Sequence, residues 1–285
     1  MNIGVNTFGL KYDLFRDFDG TLDRVKEIGF TAVEICAMSE EAAKSFLAKI
    51  PEEQQKNMQE TPLSRTFLPL PEAVFLTEKI RAHGFHVDTV HCSLPVDVDD
   101  DAVLRYTDEI ADFSKKTGIR YVVTSPMLGL AKMKEFAPRL ELAAKAMQKN
   151  GTFLLLHNHA AECHTEDGTT ALEYAMEHCP HLYAEPDTGW MVAGGMDPVP
   201  FMKKYADRII HLHLKDFKKG YDPEGEGDER FSAIGEGILP LQEVLAAKKN
   251  CSITAQGFFI DQDASTGDFI EDLRTGYENV RKLSF

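Results

Sequence analysis

The chain has 285 residues, 43% of them hydrophobic and 27% charged, enough apolar content for a sizeable core and unlike disordered or fibrous sequences. Its formal charge of −15 repels phosphate and argues against non-specific binding to nucleic acid or to an anionic membrane surface. No apolar run approaches the roughly 20 residues of a bilayer span, and the opening "NIGVNTF" lacks the pattern of a secretory signal, so the expectation is a cytoplasmic protein with no membrane partner.

Read in order, short apolar runs alternate with amphipathic ones. The strand expectations are 2–7, 32–37, 86–92, 120–125, 153–159, 182–187, 209–214 and 257–262. Between them lie helical stretches such as 21–29, 72–84, 102–118 and 139–151, ending at Gly29, Gly84, Gly118 and Gly151, where a helix C-cap favours positive φ. Segment 38–70 reads as a helical excursion after the second strand, and the charged, Gly-rich run 218–228 reads as a lid or an exposed connection. Eight strand–helix units with continuously apolar strands imply parallel strands closed into an α/β (β/α)8 TIM barrel, and no composition shift divides residues 1–285 into more than one domain. An open doubly wound sheet is the rival, but no Gly-rich phosphate turn follows the first strand. Cys36, Cys92, Cys163, Cys179 and Cys251 are odd in number and unpaired in spacing, which suggests buried free thiols.

The last four strands end in polar pairs two residues apart: His157 and His159, Glu185 and Asp187, His211 and His213, Asp261 and Asp263. Residues so spaced share one side of a strand, and C-terminal strand ends form the chemical face of a barrel. A lone histidine there is more often structural than a ligand. Four such ends in one mouth would each carry an unmet desolvation cost of about 1–3 kcal/mol, which a shared divalent cation relieves. Mixed imidazole and carboxylate ligation suits Mn²⁺, Co²⁺, Zn²⁺ or Fe²⁺ better than Ca²⁺.

"HNHAAE" at 157–162, "DTGWMVAGGMDP" at 187–198, "RIIHLHLKDF" at 208–217, "GEG" at 235–237 and "FIDQDASTGDFIEDLRTGYENVRKL" at 259–283 together resemble the xylose isomerase-like barrels, sugar phosphate isomerases/epimerases, in their "HNH" branch. The resemblance runs through nearly the whole chain and is sharpest after residue 150. In the ketose 3-epimerases of that superfamily a metal is held by Glu, Asp, His and Glu from strands five to eight. Carried over, the metal ligands are His157, Asp187, His213 and Asp261. The outer two depart from the pattern: His157 stands for the first Glu, and Asp261, one methylene shorter, for the last. A second registration puts "TAQG", 254–257, at the strand-eight motif, but "DQD", 261–263, has the better spacing to the following helix.

The resemblance implies a metal-dependent isomerase or epimerase on a small sugar or sugar derivative, with a proton removed beside a carbonyl. Glu162 is the leading base, with His159 and Glu185 as further catalytic candidates; Glu162 could equally be a loop residue or a partner of His159. Lys215, Asp216, Trp190, His91 and Glu34 are the expected substrate contacts, each with a plainer alternative as rim, core or loop support. A lyase on a keto-sugar or keto-inositol and an inactive sugar-binding protein are the competing readings. The acidic charge disfavours the DNA-repair branch and a nucleic-acid partner, and a homodimer or homotetramer is the expected assembly.

Overall fold

The computed structural model describes residues 2–47, 67–253 and 257–283. Its strands are β1 (Gly4–Asn6), β2 (Ala32–Met38), β3 (Leu68–Pro69), β4 (Thr89–His91), β5 (Tyr121–Thr124), β6 (Phe153–Leu156), β7 (Tyr183–Ala184), β8 (Leu212–Leu214) and β9 (Phe258–Ile260). All except β3 fall inside the eight expected strand segments, β2 running one residue past its own. They pair in parallel in the order β7-β6-β5-β4-β2-β1-β9-β8, while β3 adds a two-residue pairing to the far end of β2.

The remaining gap, between β7 and β8, is spanned by isolated parallel bridges at Ala184↔Ile209 and Asp187↔His213. Their hydrogen bonds run from Ile210 N to Ala184 O (3.1 Å) and from His213 N to Pro186 O (3.0 Å). The sheet therefore curls round on itself as a (β/α)8 barrel.

Long helices cover its outside, among them α5 (Asp100–Thr117) and α6 (Leu130–Lys149). Side-chain orientation follows period 2. Val33, Ile35, Val90, Leu154, Leu156, Leu212 and Leu214 join the main apolar cluster with helix residues such as Ile110 and Leu140. Their neighbours Glu34, His91 and His213 face the barrel axis, above a floor that includes Phe259 and Tyr121. Asp17 and Asp99 cap helix N-termini, accepting from Gly20 N and Ala102 N, and all four cap glycines have positive φ, from 73° at Gly118 to 118° at Gly29.

In the 38–70 excursion the described parts are α3 (Glu40–Leu47) and β3, and residues 48–66 lie outside the described set, as do Thr254–Gln256 of the alternative strand-eight registration. The pairing of His213 with Phe259 puts Asp261 directly after the last strand, the register that "DQD" requires. Cys36, Cys92, Cys163 and Cys179 are buried free thiols and Cys251 is partly exposed. Among the described residues no helix is long and apolar enough to cross a membrane.

Candidate metal centre

Asp187 follows β7 and is the N-cap of α8 (Thr188–Ala193). Its Oδ1 accepts from Trp190 N at 2.9 Å. Its other oxygen, Oδ2, is buried and has no hydrogen-bond partner. Asn158, the middle residue of "HNH", fixes this segment with a pair of bonds, Nδ2 to Asp187 O (3.1 Å) and Asp187 N to Oδ1 (3.0 Å). His157 Nε2 lies 3.9 Å from Asp187 Oδ2, and His213 Nδ1 lies 3.2 Å from Asp261 Oδ2. One donor atom from each of His157, Asp187, His213 and Asp261 lies within 4.8 Å of the other three, and all four residues are buried. The orphaned Asp187 Oδ2 and the unbonded His213 Nδ1 are what a divalent cation would satisfy, so the donor set fits such an ion.

Beneath this cluster lies a second polar layer. Glu34 and Glu185, both fully buried, each place Oε1 3.1 Å from His91 Nε2 and 3.1 Å from His213 Nε2. Glu185 Oε2 also meets His211 Nδ1 at 2.8 Å, and Asn6 Nδ2 donates to Glu34 Oε1 at 2.5 Å. Glu185, His91 and Glu34 are therefore paired among themselves. The expected catalytic Glu185 and the expected substrate contacts His91 and Glu34 thus lie in this lower layer. The reason is depth, because each step of two residues along a strand changes height by about 6.6 Å.

Charge follows the layering. Burial opposes protonation of His91, but Glu34 and Glu185 outweigh it and raise its pKa to about 9. His213 is likewise driven well above its ordinary value, by Glu185, Glu34 and Asp261 against burial. His157 is held down at about 4, and Asp187 is pushed up to about 7, in both cases chiefly by burial. Asp261 stays well below the usual carboxylate range because Lys215 and His213 overcome its burial.

Lys215 is not at the rim. It is 1% exposed, with Nζ 3.0 Å from Asp261 Oδ2, 2.6 Å from Asp263 Oδ1 and 3.8 Å from Asp187 Oδ2. Asp216 is also withdrawn. Its two oxygens accept four backbone N–H groups, from Phe217, Leu239, Gly235 and Gly237, and so anchor the "GEG" loop. Glu162 is engaged in a comparable way, since its carboxylate ties Leu128 N to His159 N, one amide on each oxygen.

Two expected residues do stand at the mouth. His159 packs 5.2 Å from His157 and 5.5 Å from Trp190, its Nδ1 is unbonded, and burial, with His157 beside it, keeps the ring neutral. Trp190, 7% exposed, packs on Phe217 and Phe231 and leaves Nε1 without a partner.

One further residue went unnoticed in the sequence. Arg230 lies over the Trp190 and Phe231 rings (5.6 and 4.9 Å) with Nε unbonded. It is brought there by the 218–230 loop, which a bridge between Phe217 and Phe231 closes and which reaches His164 through Glu224 at 2.9 Å. The only sequence signal was a cation beside an aromatic, too common to single out.

The fold and this donor set define a (β/α)8 barrel with a histidine–carboxylate cage at the carboxyl ends of its strands. The chain belongs to the xylose isomerase-like TIM barrel family, whose profile matches residues 22–249. It is 27% identical to an inosose dehydratase of Bacillus thuringiensis (strain Al Hakam) over 164 residues, 52% of this chain and 53% of that protein. The chain thus spans about half the length of the curated relatives it matches. A sugar phosphate isomerase/epimerase structure from Parabacteroides distasonis superposes with a TM-score of 0.71 at 17% identity, over 99% of this chain and 98% of that one. The IOLI protein with a bound zinc atom superposes with a TM-score of 0.66 at 14% identity, over 100% and 98%. At these identities the structural likenesses establish the fold.

Proposed function

We propose that this chain is a divalent-metal-dependent enzyme that removes a proton beside a carbonyl of a small sugar or sugar derivative, as an isomerase or epimerase. The observation that carries the reading is the convergence of His157, Asp187, His213 and Asp261 within 4.8 Å, with Asp187 Oδ2 buried and without a hydrogen-bond partner. A cation bound there supplies a Lewis acid that acidifies the neighbouring C–H.

The chain's own residues do the rest. Neutral His159, with Nδ1 free, receives the proton; it is the one member of the expected catalytic set whose acceptor atom is uncommitted. Trp190 offers a flat face and an N–H to a sugar ring, and Arg230 stacks beside it with donors for substrate oxygens. Lys215 holds Asp261 and Asp263 in place, while Phe217 and Phe231 pack behind Trp190 and keep water out.

The same first step followed by loss of water makes a dehydratase, a second reading that the inosose dehydratase relative favours. Deuterium uptake from solvent into candidate ketoses and keto-inositols, scored with and without dehydration, separates the two. Asp187→Asn removes an anionic ligand and should abolish metal-dependent exchange; full activity in that variant refutes the assignment. Binding of sugar without exchange by the metal-loaded protein would leave the third reading, a sugar-binding protein.

A further inference from the structure

The layer beneath the mouth has the geometry of a cage. Glu34 Oε1 from β2, His91 Nε2 from β4, Glu185 Oε1 from the end of β7 and His213 Nε2 from β8 are four donors, and each nitrogen is 3.1 Å from each oxygen. A tetrahedron with edges of that length has its centre about 1.9 Å from each corner, and a square of that side about 2.2 Å. Those limits bracket the lengths of zinc–imidazole and zinc–carboxylate bonds.

Hydrogen bonding accounts for only part of the arrangement. His91 Nε2 aligns with Glu185 Oε1, but His213 Nε2 is buried and has no partner, because neither oxygen lies near its ring N–H axis although both are 3.1 Å away. Charge admits the same occupant: two carboxylates with no solvent exposure are balanced by protonated His91 and His213 or, with both imidazoles neutral, by one divalent ion.

Each donor residue is also held from outside, as metal ligands are. Asn6 Nδ2 donates to Glu34, Ser125 Oγ stands 3.4 Å from His91 Nδ1, His211 Nδ1 bonds Glu185 Oε2, and Asp261 Oδ2 faces His213 Nδ1.

We propose that Glu34, His91, Glu185 and His213 form a second, deeper site for a divalent transition cation, of the zinc or cobalt class rather than magnesium or calcium. It shares only His213 with the mouth cluster and stands whether or not that cluster is catalytic.

The test uses the full chain with the mouth ligands removed. Asp187→Asn/Asp261→Asn protein is stripped with chelator, loaded with Co²⁺, desalted, and assayed for cobalt content and visible absorption. The expected result is about one Co²⁺ per chain with the intense bands of a four-coordinate ion. Adding Glu34→Gln or His91→Gln should remove both while circular dichroism stays unchanged. Where the double variant does not fold, Asp187→Asn alone takes its place. A folded variant that holds no cobalt, or cobalt indifferent to both Glu34→Gln and His91→Gln, overturns the proposal. The mouth assignment is judged separately, by the loss of exchange in Asp187→Asn.

Discussion

Asp187 divides its carboxylate between two roles, with Oδ1 capping α8 and Oδ2 left for an ion. Glu162 divides its carboxylate too, but both halves go to backbone amides in a buried loop. Burial, the dominant influence on Glu162, lifts its pKa from 4.5 to about 7, against the pull of those amides. The fold thus resists its ionisation. The associated stability is complete below pH 4.5 and is lost as pH rises through 7, by up to about 3 kcal/mol. Glu162→Gln should cancel that slope, so the urea-unfolding free energy of the variant should gain on the parent between pH 5 and pH 8. Parallel profiles for the two proteins would rule the account out.

The residue types of the mouth were legible because His157, Asp187, His213 and Asp261 end consecutive apolar runs. What the period of 2 could not convey was height. Glu185 and Asp187 lie on one side of their strand, but one faces the histidines below and the other the mouth above. The roles of Asp216 and Glu162 were hidden for another reason. They depend on where loop amides lack partners, and a loop's course leaves no periodic trace.

At the scale of elements, strand positions were legible because each apolar run sits between a cap glycine and a polar end. The order of closure was not, since β7 and β8 contribute only two and three residues. One close fit in the site is between α8 and the residue that follows β8. A Cβ on Gly189 would lie 2.2 Å from Lys215 O, so this first helical turn reaches the strand only with glycine there. Gly189→Ala should push α8 outward and carry Asp187 and Trp190 with it. The expected outcome is a folded protein whose melting temperature no longer rises with Mn²⁺ or Co²⁺. An undiminished rise would show that the turn has slack.

For the molecule as a whole, the barrel is weakest where β7 and β8 meet, because two isolated bridges replace a ladder there. An ion held between Asp187 and His213 would clasp both sides of that seam. At a hundredfold excess over its Kd such an ion adds about 2.7 kcal/mol to stability. The gain should be concentrated locally, so amide exchange at Ile210 and His213 should slow more on metal addition than exchange at the β5–β6 pairing. Uniform slowing would count against a clasp at the seam.

The bridge Asp187↔His213 has one more consequence. Were β8 to slide by a single residue against its neighbour, His213 would rotate to the outer surface and a leucine would take its place inside. Hydrophobicity alone polices such an error weakly in so short a strand. A chain that misthreads its final turn thus forfeits its chelating hand at the same moment, and selection for chemistry doubles as proofreading of the hoop.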